Sequence, residues 1–437
     1  MTIALLYEKK MENKIITRIL YVIMFIIPIA ESPIEIQPFT SFIRPVILWG
    51  CGIFLFIALF KKRKEIVLDK IDKLLLMFWG LLILSTIFSI HKLNAIIGGF
   101  DRFEGILSFS TYFLIYFAAK YYLCYDKKIQ KYSIYLTIFV CVIGILQYYN
   151  FFNPFYEALN MKCRQNHACS TFTNSNFFGS FLSVIAPIYI ALYITKGSKK
   201  YLLLSLLSFY AIIICLARSS WVALAAVCLV GLIFVIKQAD KQFFIRTLHV
   251  VIAFILIFMF IVCPPAFIRD ILPDSALNKF IQFGNDINSS LDSDGIPDSA
   301  GSGRIFIWKL AFKLIPKYPL IGSGPDTFLY ASAAQEIEDV YTIFKNNHAL
   351  ADKAHNEYLQ YAVTVGIPAL IIYLLFVGEI LSKQKDILKN NVTLIFSLAI
   401  IGYLVQAFFN ISTIGVAPIF WLLLGLIQNN KFKKRME

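Results

Sequence analysis

Runs of strongly apolar residues, most of them close to the length of a bilayer-spanning helix, decide what this chain can fold into. A helix needs about 20 predominantly apolar residues to cross a membrane. Twelve stretches meet or approach that length, at about 15–30, 43–60, 71–90, 106–124, 132–149, 176–195, 201–217, 219–236, 245–263, 356–378, 393–409 and 412–428. Of the 437 residues, 58% are hydrophobic and 16% are charged, whereas a soluble domain carries about 25% charged residues. A soluble enzyme, a disordered chain and a disulfide-stapled secreted module are excluded. The expectation is an all-α polytopic membrane protein with about 12 transmembrane helices and one long extracytoplasmic loop. The first stretch lacks a small-x-small site before Glu31, so it reads as a span and not a cleavable signal. The apolar run at 201–236 is too long for one span and folds into a hairpin with Arg218 at its tip.

Basic residues in short loops mark the cytoplasmic side. With the N-terminus inside and strict alternation, inner segments hold 26 Lys/Arg and outer segments 14. Every inner loop is short and basic, from KKRK at 61–64 to KFKKR at 431–435. Both termini are therefore expected in the cytoplasm of a multi-pass protein of the inner or plasma membrane. This organisation accounts for the net charge of +14 through topology and anionic lipid, with no nucleic-acid partner. It divides the chain into 1–263 (nine spans), 264–355 (an extracytoplasmic loop domain) and 356–437 (three spans and a basic tail).

Six of the ten arginines run against this rule and face outward: Arg44, Arg102, Arg164, Arg218, Arg269 and Arg304. Guanidinium differs from ammonium in its planar fork, which grips phosphate or carboxylate through two bonds. The excess reads either as an outer face built for an anionic ligand or as snorkelling and surface salt bridges.

The first half of the 264–355 segment, around NDINSSLDSDGIPDSAGSG, reads as a polar, mobile stretch. Asp292, Asp294 and Asp298 have a spacing that suits Ca²⁺, without the terminal Glu of an EF-hand, and read better as a solvated acidic loop. In the second half RIFIWKLAFKLIPKYP reads as a short interfacial helix, with Ser302 as N-cap, Pro316 as stop and Lys309, Lys313 and Lys317 on one face. Arg304 falls in its first turn, beside free backbone N–H groups. The IGSGPDTF run at 321–328 reads as a turn. His355 and Asn356 stand at the outer mouth of the tenth span. His355 reads as a general base or as a cap. Cys163 and Cys169 in CRQNHAC read as a disulfide clip in preference to a metal site.

P-loop, serine-hydrolase and zincin signatures are absent from the sequence. No cofactor and no metal are called. An outward site with arginines, a histidine and an interfacial helix suits a lipid-anchored, phosphate-bearing substrate.

Four stretches in order resemble the O-antigen ligase and polymerase family of membrane glycosyltransferases. They are TFTNSNFFGSFL at 171–182, LARSSW at 216–221, GSGRIFIWKLAFKLIPKYPLIGSGPDTF at 301–328 and AHNEYLQYAVTVGIPALI at 354–371. Ser175, Ala217 and Ala369 stand where the family pattern has Pro, Ser and Gly. The resemblance implies a GT-C-type ligase fold. It implies metal-independent, inverting transfer of a glycan from an outward-facing polyprenyl pyrophosphate to an acceptor hydroxyl. By the same analogy His355 is the base, Arg218 and Arg304 hold the pyrophosphate, and Asn176, Asn356 and Arg102 position substrate. The partners implied are the lipid-linked glycan, a glycolipid, glycan or protein acceptor, and the bilayer. A ligase is favoured over a polymerase, which shares these motifs. A lipid-linked glycan transporter is the rival from another class, and it makes His355 dispensable.

Overall fold

The computed structural model describes residues 2–30, 42–99, 102–151, 167–172, 174–262, 275–292, 303–336, 351–384 and 390–436. All regular structure among them is helical. In chain order the helices are α1 (Thr2–Phe25), α2 (Ile43–Lys61), α3 (Lys70–Ile87), α4 (Lys92–Ile97), α5 (Ile106–Tyr121), α6 (Lys127–Tyr148), α7 (Ser175–Lys196), α8 (Lys199–Ile214) and α9 (Arg218–Gln238). They continue with α10 (Lys241–Val262), α11 (Ser275–Asp292), α12 (Arg304–Leu314), α13 (Phe328–Glu336), α14 (Glu357–Thr364), α15 (Ile367–Ser382), α16 (Asn391–Ala407), α17 (Ala417–Leu426) and α18 (Asn430–Met436). Each apolar stretch of the sequence falls on one of these helices or on a broken pair. Among the described residues five, α2, α6, α7, α9 and α10, are long and apolar enough to cross a membrane by length and composition. Helices α15, α16 and α17 are apolar but shorter.

Helix α7 is the centre of the bundle. It starts where Asn174 Oδ1 accepts the Asn176 N–H at 2.8 Å, a side-chain N-cap. It ends at Gly197 in the left-handed region, where glycine carries no Cβ penalty. Helices α8, α9, α10 and α16 pack around it. Close approach depends on small residues: a Cβ on Gly402 of α16 would run into the Ser183 carbonyl oxygen of α7, and one on Gly179 would meet Ser220 and Ala217 at the head of α9. Small residues at helix contacts drive association where the solvent is itself apolar. Large apolar side chains remain exposed on the periphery, among them Ile53, Phe54 and Phe56 on α2 and Ile255 and Leu256 on α10. A belt of this kind far exceeds the apolar patches of soluble monomers and suits hydrocarbon.

Three expectations change. The stretch 356–378 is two helices, broken at Val365–Gly366. A turn from the long loop enters the break. Ser323 N–H donates to Val363 O at 3.0 Å, Gly324 N–H to Thr364 O at 2.8 Å, and Ile367 N–H to Pro319 O at 2.9 Å. Carbonyls released by a helix break at membrane depth need partners inside the protein, and the GSG turn supplies them. Part of the stretch read as mobile, 285–292, continues helix α11, whose Phe280 stacks on Trp221 of α9 with ring centroids 4.0 Å apart. Helix α12 does more than lie in the interface. It buries Leu310, Ala311 and Leu314 in a second small core with Phe328, Ala331, Ala351, Ala354 and Val363, while Lys309, Lys313 and Lys317 face outward. Gly303, at φ 81°, occupies its N-cap. Ser302, Asp294 and Asp298 lie outside the described residues.

Gly402→Ala should lower the melting temperature in detergent, because the atom it meets is backbone and cannot swing away. Overpacking of this kind costs about 1–3 kcal/mol. Gly50→Ala, with open space around it, should be neutral or slightly stabilising. Equal melting temperatures for the two variants would remove Gly402 as a packing determinant.

Candidate functional site

The starts of four helices meet at one end of the bundle. Arg218 is the first residue of α9 and Arg304 the first of α12. His355 and Asn356 immediately precede α14, and α7 begins after Asn174. Contacts knit them together. The Arg102 guanidinium carbon lies 5.1 Å from the Phe177 ring centroid at the head of α7. Its Nη2 donates to Asp352 Oδ2 at 3.1 Å, and Asp352 Oδ1 is 3.9 Å from His355 Nε2. Arg304 acts electrostatically on His355, and Arg218 on Arg304. The Arg218 guanidinium carbon also sits 5.7 Å from the Phe283 ring of α11. Helix starts add partial positive charge to the same region.

The chain bends sharply to deliver these side chains. Phe103, Leu216 and His355 take positive φ, at 53°, 59° and 47°, a region costly for residues with a Cβ. Each is one of the site residues or lies within two positions of one. Asn150, Ser170 and Ala239 share this conformation elsewhere in the fold, so positive φ accompanies the site without being confined to it.

Burial, with the Arg304, Arg102 and Lys353 charges, lowers the His355 proton affinity to a pKa of about 4, against the opposing pull of Asp352. The imidazole is therefore neutral at neutral pH and free to accept a proton. Burial and Arg218 lower Arg304 to about 10, which leaves it charged. Behind the histidine, Lys353 is buried and ion-paired with Asp326. Burial pulls its ammonium down to about 7, with Glu104 pulling the other way. Burial also pushes the Glu104 carboxyl up, and Tyr112 OH donates to it at 2.6 Å. A small cavity of about 20 Å³ among Glu104, Asp326, Lys353, Glu357, Gln360 and Ser412 has room for a single water.

Of the residues singled out in the sequence, Arg102, Arg218, Arg304 and His355 are brought together. Asn356 Oδ1 caps α14, accepting the Tyr358 and Leu359 N–H groups, both at 3.0 Å. Asn176 stands at the head of α7, where its carbonyl accepts from Asn410 Nδ2 at 3.1 Å; contact with the arginines comes from its neighbour Phe177. Arg44 serves the fold, donating to Ile27 O at 3.1 Å and to Thr171 O. Arg164 and Arg269 lie outside the described residues, as does Cys163; Cys169 is disulfide-bonded. Sequence reasoning missed Asp352, Lys353, Asp326 and Glu104. The i, i+3 spacing of Asp352 and His355 was a readable signal, and the Asp326 contacts were not.

In protein carrying ¹³C-labelled histidine, the His355 ring should stay neutral to about pH 5 by NMR. Arg304→Gln removes a positive neighbour and should move its pKa upward, toward 6.5. A wild-type ring that titrates near 6.5 would contradict this electrostatic picture.

Residues 203–374 match the family model described as O-antigen ligase. That range takes in Arg218, Arg304 and His355 and stops short of Arg102. The chain is also similar to a Rickettsia conorii protein named, by inference, a polysaccharide ligase, at 22% identity over 249 residues. The aligned part is 56% of this chain and 54% of the relative, so the chain spans about half the length of the curated relative it matches. Over residues 203–374, which carry Arg218, Arg304 and His355, the chain is similar to the O-antigen ligase family.

Proposed function

We propose that this protein is a glycan ligase, transferring a glycan from an outward-facing polyprenyl pyrophosphate to an acceptor hydroxyl. The observation that carries this reading is the gathering of Arg102, Arg218 and Arg304 around a histidine that is neutral at neutral pH. The acceptor oxygen attacks the anomeric carbon and passes its proton to the imidazole of His355. The bond from that carbon to the pyrophosphate oxygen breaks with inversion, and its electron pair leaves on the phosphate. Arg218 and Arg304 stabilise that charge, so the leaving group needs neither a proton nor a metal ion. Arg102, held by Asp352, orients the donor, and Asn176 and Asn356 shape the wall. The site faces the extracytoplasmic side of the inner or plasma membrane, with both termini in the cytoplasm. The acceptor is a glycolipid, glycan or protein; a polymerase uses the same chemistry with another lipid-linked glycan as acceptor.

His355→Ala should reduce transfer by about 10²–10⁴-fold, the contribution of a general base, while donor binding survives. Arg304→Lys should also fail, since a point charge does not replace the fork. Full transfer by both purified variants would overturn the site assignment, and dispensable His355 would favour a transporter.

The acid limb of kcat/KM, which reports free enzyme, should lie near pH 4; that of kcat should lie higher, because bound pyrophosphate stabilises the imidazolium. Coincident limbs would contradict this. In cells lacking the protein, long glycans stranded on the outer-face carrier mean a ligase. Single repeat units still reaching the final acceptor mean a polymerase. Carrier-linked glycans trapped on the inner face would point to transport.

A further inference from the structure

Asp326 holds two segments that the chain places far apart. Its Oδ2 accepts the Gly99 N–H at 2.6 Å and the Glu104 N–H at 3.2 Å, closing the 98–105 loop that carries Arg102. Its Oδ1 faces the ammonium of Lys353, two residues before His355. Both side chains are buried, at 1% and 6% exposure. The carboxylate is fixed from its own side as well: Asp326 sits at φ 58°, and the preceding Ser323–Gly324 turn is bonded into the end of α14.

We infer that the Asp326–Lys353 pair is a positioning strut that holds Arg102 and His355 in register, so that donor contact and base are set by one buried carboxylate. The inference rests on the glycan-transfer reading. A buried ion pair is weak as a stabiliser, because desolvation consumes most of the Coulomb gain and a well-packed apolar pair serves stability as well. What such a pair adds is a direction. Here it joins two loops that meet again at the surface through Arg102 and Asp352. With the inner joint cut, the outer one must hold alone, at a half-exposed carboxylate.

The test uses full-length protein in nanodiscs. The donor is carrier-linked glycan extracted from cells lacking the protein, and the acceptor is the envelope fraction of the same cells. Asp326→Asn keeps an oxygen for the two N–H groups and loses the pairing; Lys353→Met removes the ammonium at similar length. Each should lower kcat about 100-fold, the cost of a displacement near 1 Å, with donor KM within about threefold. Because either single variant leaves a buried charge unpaired, the double variant is decisive. It should regain the melting temperature and not the turnover. Hydrogen exchange should quicken in peptides covering 98–105 and 351–356 in all three variants.

Recovery of turnover in the double variant would reduce the pair to a stability element and overturn the inference, as would unchanged exchange in both peptides. If wild type transfers, His355→Ala does not, and Asp326→Asn matches wild type, the strut alone fails. If wild type shows no transfer, or His355→Ala retains it, the glycan-transfer reading fails, and the exchange measurement still judges the strut.

Discussion

Arg304 and Arg218 repel each other, and Arg304, Arg102 and Lys353 together disfavour a proton on His355. Two unit charges about 6 Å apart repel by roughly 3 kcal/mol at an effective dielectric near 20. A cluster of this kind exists only where the rest of the fold forces it. The forcing is visible in the strained backbone at Phe103, Leu216 and His355, in the tight seating of α9 on α7 through Gly179, and in the helix starts that deliver Arg218 and Arg304. In the proposed reading a pyrophosphate would bring the opposite charge and relieve this repulsion. Electrostatic preorganisation of this type needs no rearrangement when charge develops on the leaving group.

Two carboxylates oppose this repulsion. Asp352 bridges Arg102 and His355 at the surface, and Asp326 offsets Lys353 underneath. Their placement differs in consequence. Asp352, half exposed, is screened by water and suits a contact that must yield to substrate. Asp326 is buried and committed to two backbone N–H groups, which suits a fixed part. The GSGPD turn is thereby more than a loop connection: the Ser323 and Gly324 N–H groups satisfy the broken α14–α15 helix, and its aspartate gathers the loops above.

Much of this was legible in the sequence because it is written in local patterns. Apolar runs of the right length mark the helices, since a membrane helix must hide its polar backbone within itself. The helix break before Arg218 was readable because the apolar run at 201–236 exceeds one span. Arg102, Arg218 and Arg304 were readable because arginines on the expected outer side run against the topology rule, and His355 because a histidine stands at the start of a long apolar stretch. Arg44 shows the limit of that signal. It has the same sign and the same expected side, yet it satisfies carbonyls of the turn after α1 and of the 167–172 turn, and only its contacts reveal this. The break at Gly366 and the reach of Asp326 across more than 220 residues are tertiary events, with no periodicity to announce them. Helix α11 was missed for a different reason: its Ser, Asn and Asp residues favour turns, and packing of Phe280 on Trp221 overrides that preference.

A base with so low a proton affinity looks poorly chosen until the bound state is considered. The arginines and burial hold the imidazole neutral. Under the proposed chemistry a pyrophosphate between the guanidiniums would offset their charge and make the imidazole a stronger base, at the moment an acceptor proton must be taken. The groups proposed to bind the donor would then gate the base. A transporter has no use for this coupling, because moving a lipid-linked glycan breaks no bond and takes no proton. Within the proposed chemistry, the coupling serves ligase and polymerase alike. What separates those two is the acceptor alone.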